Sequence, residues 1–495
     1  MVDDDKLRLG TKLWYGFGQV SEGIKNFAFQ LYLLYFYNQV MGVSAALVGT
    51  ALLVALIFDA VTDPMVASLS DSLKSRFGRR HGFMYAAAVP MGVAFYFTFS
   101  PPAGLSENGL LAWAFVWAVL SRAAMTLYHV PHLALGAELS PHYHQRTTVV
   151  AFRVFFGYLG AALLVVLSRA VFLPATEQYP VGQDNPAGYP VMGMAMGVLM
   201  AVAIFASALG THERIPHLPK AGASAPPFSV RRLLGEMVQA LGNRSFRAFF
   251  TGLLLFTIGR GVDLALWLYV GKYFFMLGDS TQLVPLMSLI GVIVGTPLWP
   301  LFKLEKRSMF IWGITGYAVL TMGLPIAKLI GFFPAEGSAL YVPLIFTTAF
   351  TASAFGAAPV LAAGSMIADI SDEHELVTGR RQEGIFFGAL SFSLKAAAGV
   401  GNWLGAMALS AIAFPTQVKD PTAVDPWVVS KLALIYGPAV LLVVIWGIAV
   451  MRGYRLSSAR HAEIRRELAE RRKAAPADVP PQAAEAAELA AAPPA

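Results

Sequence analysis

Length, composition and charge already restrict the class of protein. The chain has 495 residues, of which 56% are hydrophobic and 14% are charged, whereas soluble domains carry about 25% charged residues. This composition excludes an ordinary soluble protein and indicates one that lies in a membrane. The chain contains no cysteine, so disulfides and thiolate metal sites are excluded as well.

Apolar runs of transmembrane length recur along the whole chain. Six predicted spans lie near residues 14–38, 45–69, 83–100, 109–137, 149–173 and 189–210. Six more lie near residues 247–274, 281–302, 308–331, 339–366, 384–414 and 427–450. We therefore predict an all-α integral membrane protein with 12 transmembrane helices in two six-helix halves, which is the plan of a transporter.

The composition between and after these spans predicts the remaining organisation. Residues 1–210 form the first predicted half and residues 247–453 the second. Residues 211–246, rich in Pro, Lys and Arg, are predicted to be a cytoplasmic linker with a short amphipathic helix near 231–241. Residues 454–495 are predicted to form a basic helix and then a disordered Ala/Pro/Glu-rich tail. The basic helix either lies on the anionic inner leaflet or is simply solvated.

The distribution of Lys and Arg predicts the orientation. One set of short loops, the linker and the segment after the last span are basic, whereas the alternate loops carry almost nothing basic, with Lys419 as the clear exception. Because basic loops remain in the cytoplasm, both termini are expected there, in a multi-pass protein of the bacterial inner membrane. The acidic residues 1–6 are unlike a cleavable signal peptide, so the first helix is expected to act as its own insertion signal.

Two carboxylates in the second span predict a cation site. Asp59 and Asp63 are four residues apart in an apolar stretch and therefore share one helix face. A charge at the centre of the membrane costs about 2.5–3.5 kcal/mol on insertion scales, and two adjacent carboxylates need a proton or a cation between them. The pair suits Na⁺ or H⁺ and does not decide between them. Solvation by the cytoplasm near a helix end is an alternative reason for the charge of Asp63, but it does not account for Asp59, which lies further inside the span.

Span four carries side chains that could complete this site or contact a solute. Thr126 could add a neutral oxygen to a cation held by the aspartates, and His129 could hydrogen-bond a polar solute or carry a proton. The alternative for His129, and more so for His132, is a polar contact between helices.

Other ionisable residues inside predicted spans indicate a polar cavity. In span one, Glu22, Lys25 and Asn26 form a polar stripe, although Glu22 and Lys25 could also simply neutralise each other. Arg153 could balance a solute oxygen or snorkel as a topology anchor.

The second half offers three more such residues. Arg260 and Asp263 lie in the middle of their span, and a purely structural ion pair is the alternative to a solute site. Lys395 has no obvious local partner in its span, so we expect it to take part in coupling.

The loop after span two is predicted to take part in gating. In residues 71–80, Gly78 permits a tight turn, and Arg76, Arg79 and Arg80 can pair with Asp71. Such pairs could hold a cytoplasmic gate in one conformation, and a plain topology anchor is the alternative.

A repeated sequence pattern predicts that the corresponding loop of the second half also takes part in gating. An acid followed by arginine comes after span four, at Glu138 and Arg146, and again after span ten, at Asp369 and Arg381. We therefore expect Asp369 and Arg381 to belong to the gate.

Several stretches together resemble one known family. They are KLWYGFG (12–18), LYFY (34–37), LVG (47–49), FDAVTDP (58–64), SRFGRR (75–80), RVFF (153–156), AD (368–369) and RQEG (381–384). Over about residues 10–455 the chain resembles the glycoside–pentoside–hexuronide:cation symporters, the melibiose-carrier-like branch of the major facilitator superfamily. The resemblance implies alternating access, a coupling-cation site at Asp59 and Asp63 with Thr126, Arg153 near the solute and Lys395 near the cation.

The departures from that family concern the solute. Melibiose carriers have sugar-binding aspartates where this chain has Gly23 and His129. The tryptophan that stacks on the sugar is Leu133 here, and an arginine of the second helix is Leu56. The coupling residues therefore match, whereas the galactoside contacts do not.

These observations predict a cation-coupled symporter that imports a sugar, glycoside, hexuronide or related small polar solute. Because relatives of the family carry lysophospholipids, a lysolipid or zwitterion carrier is the alternative. A membrane-embedded enzyme acting on lipid-linked sugars and a transporter-like sensor are hypotheses from other classes. We expect no cofactor besides the coupling cation, a small-molecule solute and membrane lipid as partners, no nucleic acid, and a monomer.

Overall fold

The computed structural model describes residues 7–73, 75–140, 142–218, 235, 238–379 and 383–474. Within these residues all regular secondary structure is helical and no strand occurs. The all-α class predicted from the sequence is therefore confirmed.

Six long helical segments make up the N-terminal group. Segment α1 is interrupted and comprises Leu9–Phe17, Gln19–Leu31, Leu33–Tyr35 and the π-helical turn Phe36–Val40. It is followed by α2 (Ala45–Ser72), α3 (Gly78–Thr98), α4 (Glu107–Glu138), α5 (Tyr143–Leu167, extended by the π-helical turn Ser168–Phe172) and α6 (Gly188–Gly210). Short 3₁₀ turns lie at Gly182–Asp184 and His212–His217.

Six more segments make up the C-terminal group. They are α7 (Arg244–Tyr269 with the π-helical turn Val270–Phe274), α8 (Val284–Leu298, flanked by the 3₁₀ turns Gly278–Leu283 and Trp299–Phe302), α9 (Lys306–Leu329), α10 (Tyr341–Thr378), α11 (Glu383–Ala411) and α12 (Pro426–Leu434, Ile435–Ala439 and Val440–Val450). The 3₁₀ turns Pro421–Ala423 and Met451–Gly453 precede and follow α12, and a last helix, α13, spans Ser458–Ala474.

In the described part of the chain, ten helices are long and apolar enough to cross a membrane, namely α2 and α4–α12. The other two long segments are more polar. Segment α1 is interrupted at Gly18 and contains Glu22 and Lys25, and α3 begins with Arg79 and Arg80. A membrane-embedded fold is confirmed, and the number of 12 spans remains a prediction.

The two groups pack in the same pattern. In the N-terminal group α1 packs on α5 and α6, α3 packs on α4 and α6, and α2 packs on α4. Each of these pairs recurs six helices later, since α7 packs on α11 and α12, α9 on α10 and α12, and α8 on α10. Across the interface α2 packs on α11, α5 on α8, and α1 on α7. This arrangement is typical of two repeats related by an axis along the membrane normal; the predicted residue boundaries of the halves stay predictions.

One end of the molecule, here called the basic end, carries the loops α2–α3 and α8–α9. At the other end, here called the opposite end, hydrogen bonds join the two groups. The hydroxyls of Tyr269 and Tyr273 donate to Asn38 Oδ1 (3.0 Å) and Gln39 Oε1 (2.9 Å), and Gln39 Nε2 donates to the carbonyl of Pro415 (2.8 Å). These contacts hold the ends of α1, α7 and α11 together.

A buried lysine strengthens the same junction. Lys272 is 1% exposed, and its Nζ donates to Asp184 Oδ2 (2.7 Å) and to the Val418 carbonyl (2.7 Å). Tyr35 Oη donates to the other oxygen of Asp184 (2.6 Å). The α5–α6 loop of the N-terminal group and α7 of the C-terminal group thus share one charge pair, which the sequence patterns did not predict.

Removing this charge pair is expected to destabilise the protein. In Lys272→Ala, Asp184 keeps a buried charge without a cationic partner, which costs about 3–5 kcal/mol. We expect a clearly lower Tm in detergent for Lys272→Ala and almost no change for Lys419→Ala, whose side chain is exposed in the neighbouring loop. Equal shifts for the two variants would contradict the structural role of Lys272.

Candidate functional site

The two aspartates of α2 meet the threonine predicted to lie beside them. Asp59 is 5% exposed, and its Oδ1 lies 2.7 Å from Thr126 Oγ1. Asp63 Oδ1 lies 2.8 Å from the same hydroxyl. Three oxygens from α2 and α4 therefore converge on one point, as the spacing of four residues in α2 requires.

The hydroxyl of Thr126 cannot serve both carboxylates by itself. It carries a single hydrogen and can donate to one oxygen at a time, whereas both Asp59 and Asp63 lie at hydrogen-bonding distance. The second short contact brings together two oxygens whose repulsion a proton, a bound cation or a neighbouring cationic side chain relieves. Neutral and anionic oxygens are the ligands that hard cations prefer, so these residues fit Na⁺ as well as a proton.

Cationic side chains surround the aspartates. Arg122 lies one turn from Thr126 on α4, with its Nη1 3.4 Å from Asp59 Oδ2. Lys395 reaches across the interface from α11 and contacts Asp63 Oδ2. Lys25 of α1 is buried, and its charge acts on the Asp59 carboxylate together with those of Arg122 and Lys395. The predicted neighbour Lys395 is thus beside the pair, and Arg122 and Lys25 add two cations.

The polar stripe of α1 connects this site to a second cluster. Lys25 Nζ donates to Asn26 Oδ1 (3.0 Å), and Asn26 Nδ2 donates to Glu22 Oε1 (2.5 Å). Gln19 Nε2 donates to Glu22 Oε2 (2.6 Å), and His129 Nε2 lies 3.9 Å from Glu22 Oε1. Lys25 and Glu22 are therefore linked through Asn26 rather than by direct contact. His132, in contrast, packs between the rings of Tyr15 and Tyr128.

In the C-terminal group, the carboxylate of Asp263 is bound by two tyrosines. Tyr317 Oη of α9 donates to Asp263 Oδ2 (2.5 Å), and Tyr436 Oη of α12 donates to Oδ1. The guanidinium of Arg260, one turn away on α7, lies over the Tyr317 ring with 5.3 Å between the Arg260 Cζ and the ring centroid. The direct Arg260–Asp263 ion pair considered from the sequence is replaced by these tyrosine contacts.

A cavity of about 660 Å³ lies between the two groups. Its wall includes predicted solute-site residues from both groups, namely Glu22, Asn26, His129, Arg153, Arg260 and Asp263. Lys25 is not part of the wall but contacts Asn26, which is. The two aspartates lie outside the wall, so the structure separates the acid pair from the cavity. The charge of Lys25 acts on Asp59, and hydrogen bonds link Lys25 through Asn26 to Glu22 of the wall.

At the basic end, charge clusters connect helices within each group. In the N-terminal group, Arg79 and Arg80 lie 2.7 Å and 2.8 Å from Glu138 Oε1, and Arg80 lies 2.5 Å from Asp71 Oδ1. Arg76 instead lies over the ring of Phe77 at 4.8 Å. Besides the predicted partner Asp71, Glu138 of α4 thus pairs with Arg79 and Arg80, which the loop pattern did not predict.

The C-terminal group repeats this arrangement. Lys306, at the start of α9, lies 2.6 Å from Asp369 Oδ2 near the end of α10, as Arg79 and Arg80 at the start of α3 lie beside Glu138 at the end of α4. His461 of α13 also approaches Asp369, at 3.4 Å. Arg381 lies outside the described residues. Between described residues, the hydrogen bonds and ion pairs that join the two groups lie at mid-depth or at the opposite end.

Gly23, which stands where melibiose carriers have a sugar-binding aspartate, is packed tightly against α5. Gly23 faces the backbone of α5, and a Cβ at this position would lie 2.0 Å from the Gly157 carbonyl oxygen. Real Cβ atoms do not come this close to a backbone oxygen, and the neighbouring atom cannot rotate away. The α1–α5 contact therefore requires glycine here.

Substitution of Gly23 is consequently expected to lower stability. Overpacking typically costs about 1–3 kcal/mol, so Gly23→Ala should lower the Tm, whereas Gly10→Ala, where no atom lies within 4 Å of the added Cβ, should not. Thermal unfolding in detergent, followed by tryptophan fluorescence, measures both. An unchanged Tm for Gly23→Ala would show that α1 and α5 can separate without cost.

The fold and this site define a membrane transporter with the major facilitator fold. The model of the family described as "MFS/sugar transport protein" matches residues 14–458. The chain belongs to this family, and it is a transporter rather than an enzyme.

Individual relatives agree with this assignment. The "Putative glycoside/cation symporter YagG" of Escherichia coli (strain K12) is 28% identical, with 97% of this chain and 99% of the relative covered. The "Isoprimeverose transporter" of Lactiplantibacillus pentosus is 26% identical, with 79% and 78% covered. The crystal structure of the nucleoside transporter NupG is similar in fold, with a TM-score of 0.56 at 11% identity, covering 89% of this chain and 98% of that one.

Proposed function

We propose that this protein is a cation-coupled symporter that imports a small polar solute, of the sugar or glycoside class, by alternating access. The observation that carries the proposal is the convergence of Asp59, Asp63 and Thr126 beside a cavity whose wall comes from both groups. The names of the relatives, a glycoside/cation symporter and an isoprimeverose transporter, support the solute class.

The proposed coupling step is the replacement of Lys395 at Asp63. Lys395 belongs to α11, so its contact with Asp63 of α2 joins the two groups. A cation or proton that neutralises Asp63 removes the attraction for Lys395 and thereby weakens one contact between the groups. Solute binding in the adjacent cavity adds contacts to both groups, so that the loaded carrier can change conformation.

Neutralising the aspartates is expected to abolish accumulation driven by a gradient. We expect Asp59→Asn and Asp63→Asn each to lower accumulation of labelled isoprimeverose in proteoliposomes by at least about tenfold under an imposed Na⁺ or H⁺ gradient, since one missing unit charge removes the cation's binding energy. Comparison of the two gradients identifies the coupling cation.

Glu336→Gln provides the matched control, because Glu336 is exposed and pairs with Lys328 within the C-terminal group, away from the site. This variant should accumulate solute like the wild type. Unimpaired accumulation by both Asp59→Asn and Asp63→Asn would refute the proposed cation site.

We further propose that the basic end faces the cytoplasm of a bacterium, that both termini lie there, and that the protein is a monomer in contact with membrane lipid. The positive loops support this orientation. In that orientation, the hydrogen bonds between described residues that join the groups lie on the outer side or at mid-depth, and we propose that the conformation is an inward-facing one.

The absence of cysteine in the sequence permits a direct test of orientation by single cysteines. We expect Ser75→Cys, in the α2–α3 loop, and Val154→Cys, in the cavity wall, to react with an impermeant maleimide only from the cytoplasmic side. Thr416→Cys, in the α11–α12 loop, should react only from outside. Labelling of Ser75→Cys from outside in intact cells would reverse the orientation, and labelling of Val154→Cys from outside would contradict the closed outer side.

A further inference from the structure

Each aspartate of the acid pair faces one neutral and one cationic side chain. The Oδ1 atoms of Asp59 and Asp63 lie 2.7 Å and 2.8 Å from Thr126 Oγ1. The Oδ2 atoms face cations instead. Arg122 Nη1 lies 3.4 Å from Asp59 Oδ2, and Lys395 contacts Asp63 Oδ2. Two cationic side chains of the protein therefore compete with a bound cation, one at each aspartate.

The two competing side chains belong to different groups of helices. Lys395 lies on α11 of the C-terminal group, so it leaves Asp63 when the groups move relative to each other. Arg122 lies on α4 and Asp59 on α2, and these two helices pack on each other within the N-terminal group. The guanidinium of Arg122 therefore stays beside Asp59 when the groups move.

The surroundings of Arg122 hold its charge in place without closing the cation site. Its Cζ lies 5.5 Å from the centroid of the Phe29 ring, on α1 of the same group. Its contact with Asp59 is longer than the about 2.7–2.9 Å of a charge-assisted hydrogen bond. Arg122 Nε is buried and has no hydrogen-bond partner among the described residues. Because arginine retains its proton in proteins, the charge is permanent, while the single long contact leaves the carboxylate open to a second cation.

We propose that Arg122 is a positioning residue that acts through Asp59, lowers the affinity of the acid pair for the coupling cation and thereby permits its release. A fixed positive charge beside a carboxylate disfavours the binding of a further cation there. The return of Lys395 to Asp63 displaces the cation from one aspartate, and Arg122 weakens its binding at the other. This inference rests on the proposed function and adds the residue that sets the cation affinity.

Removing the charge of Arg122 is expected to make the protein bind its cation too tightly. In Arg122→Gln, the cation concentration for half-maximal uptake of labelled isoprimeverose by proteoliposomes (K0.5) should fall at least about tenfold, since an adjacent arginine changes the proton affinity of a carboxylate by about 10- to 1,000-fold. The maximal rate should fall as well, because the cation is released more slowly. A purely structural defect lowers the rate or raises K0.5 and does not lower K0.5.

Two variants separate the effect of the charge from that of the shape of the side chain. Arg122→Lys keeps the positive charge and should retain a K0.5 near that of the wild type. Arg247→Gln exchanges an exposed arginine of α7 for the same neutral amide and should not change K0.5. The inference is overturned if Arg122→Gln has an unchanged or higher K0.5, or if Arg122→Lys lowers K0.5 as much as Arg122→Gln does.

A double variant keeps the inference testable if Arg122→Gln does not fold. Asp59→Asn combined with Arg122→Gln removes both members of the ion pair, so neither is left without its partner. The purified full-length protein is titrated with Na⁺ and with H⁺, and binding is followed by tryptophan fluorescence. The double variant should bind the coupling cation more tightly than Asp59→Asn does. Equal or weaker binding overturns the inference, and so does a wild type that binds neither cation.

Binding and uptake together keep this inference distinct from the proposed function. Tighter cation binding by purified Arg122→Gln than by the wild type, with no gradient-driven accumulation of solute by either protein, would refute symport and support the role of Arg122. Gradient-driven accumulation by the wild type, with an equal K0.5 in Arg122→Gln, would refute the role of Arg122 and leave the symporter proposal intact.

Discussion

The structure depends on neutralising ionised side chains in the interior of a membrane protein, where an unpaired charge costs several kcal/mol. Asp59 and Asp63 lie beside Thr126, Arg122 and Lys395, which come from α4 and α11. Because Lys395 belongs to the other group, the ion pair that neutralises Asp63 also joins the two groups. In the proposed mechanism, a bound cation or proton takes the place of Lys395, so the same charge balance governs both cation binding and the relative position of the groups.

The acid pair and the cavity are separate parts of the structure. The acid pair lies outside the cavity wall, and the chain of Lys25, Asn26 and Glu22 connects it to the wall. A change of charge at Asp59 can act on Lys25 and through it on a residue of the cavity. Asp263, in contrast, is held by two tyrosines, and the C-terminal group contacts the aspartates of α2 through Lys395 instead.

The two ends of the molecule use charge in different ways. At the basic end, ion pairs such as Arg80–Glu138 and Lys306–Asp369 connect helices of one group and repeat from one group to the other. At the opposite end, Lys272 joins the loops of both groups through Asp184 and the Val418 carbonyl. Among the described residues, the hydrogen bonds and ion pairs between the groups thus lie at mid-depth and at the opposite end, which fits a rocking movement about a central site.

The sequence by itself determined the helical class, the transporter plan and the residues of the acid site. Apolar runs and the spacing of Asp59 and Asp63 are local properties, which the neighbouring residues fix. The tertiary structure alone decided that Asp263 is bound by tyrosines rather than by Arg260, that Arg122 lies beside Asp59, and that Lys272 pairs with Asp184. Each of these contacts joins residues on different helices or loops. The packing of the helices brings these residues together, and local periodicity does not predict that packing.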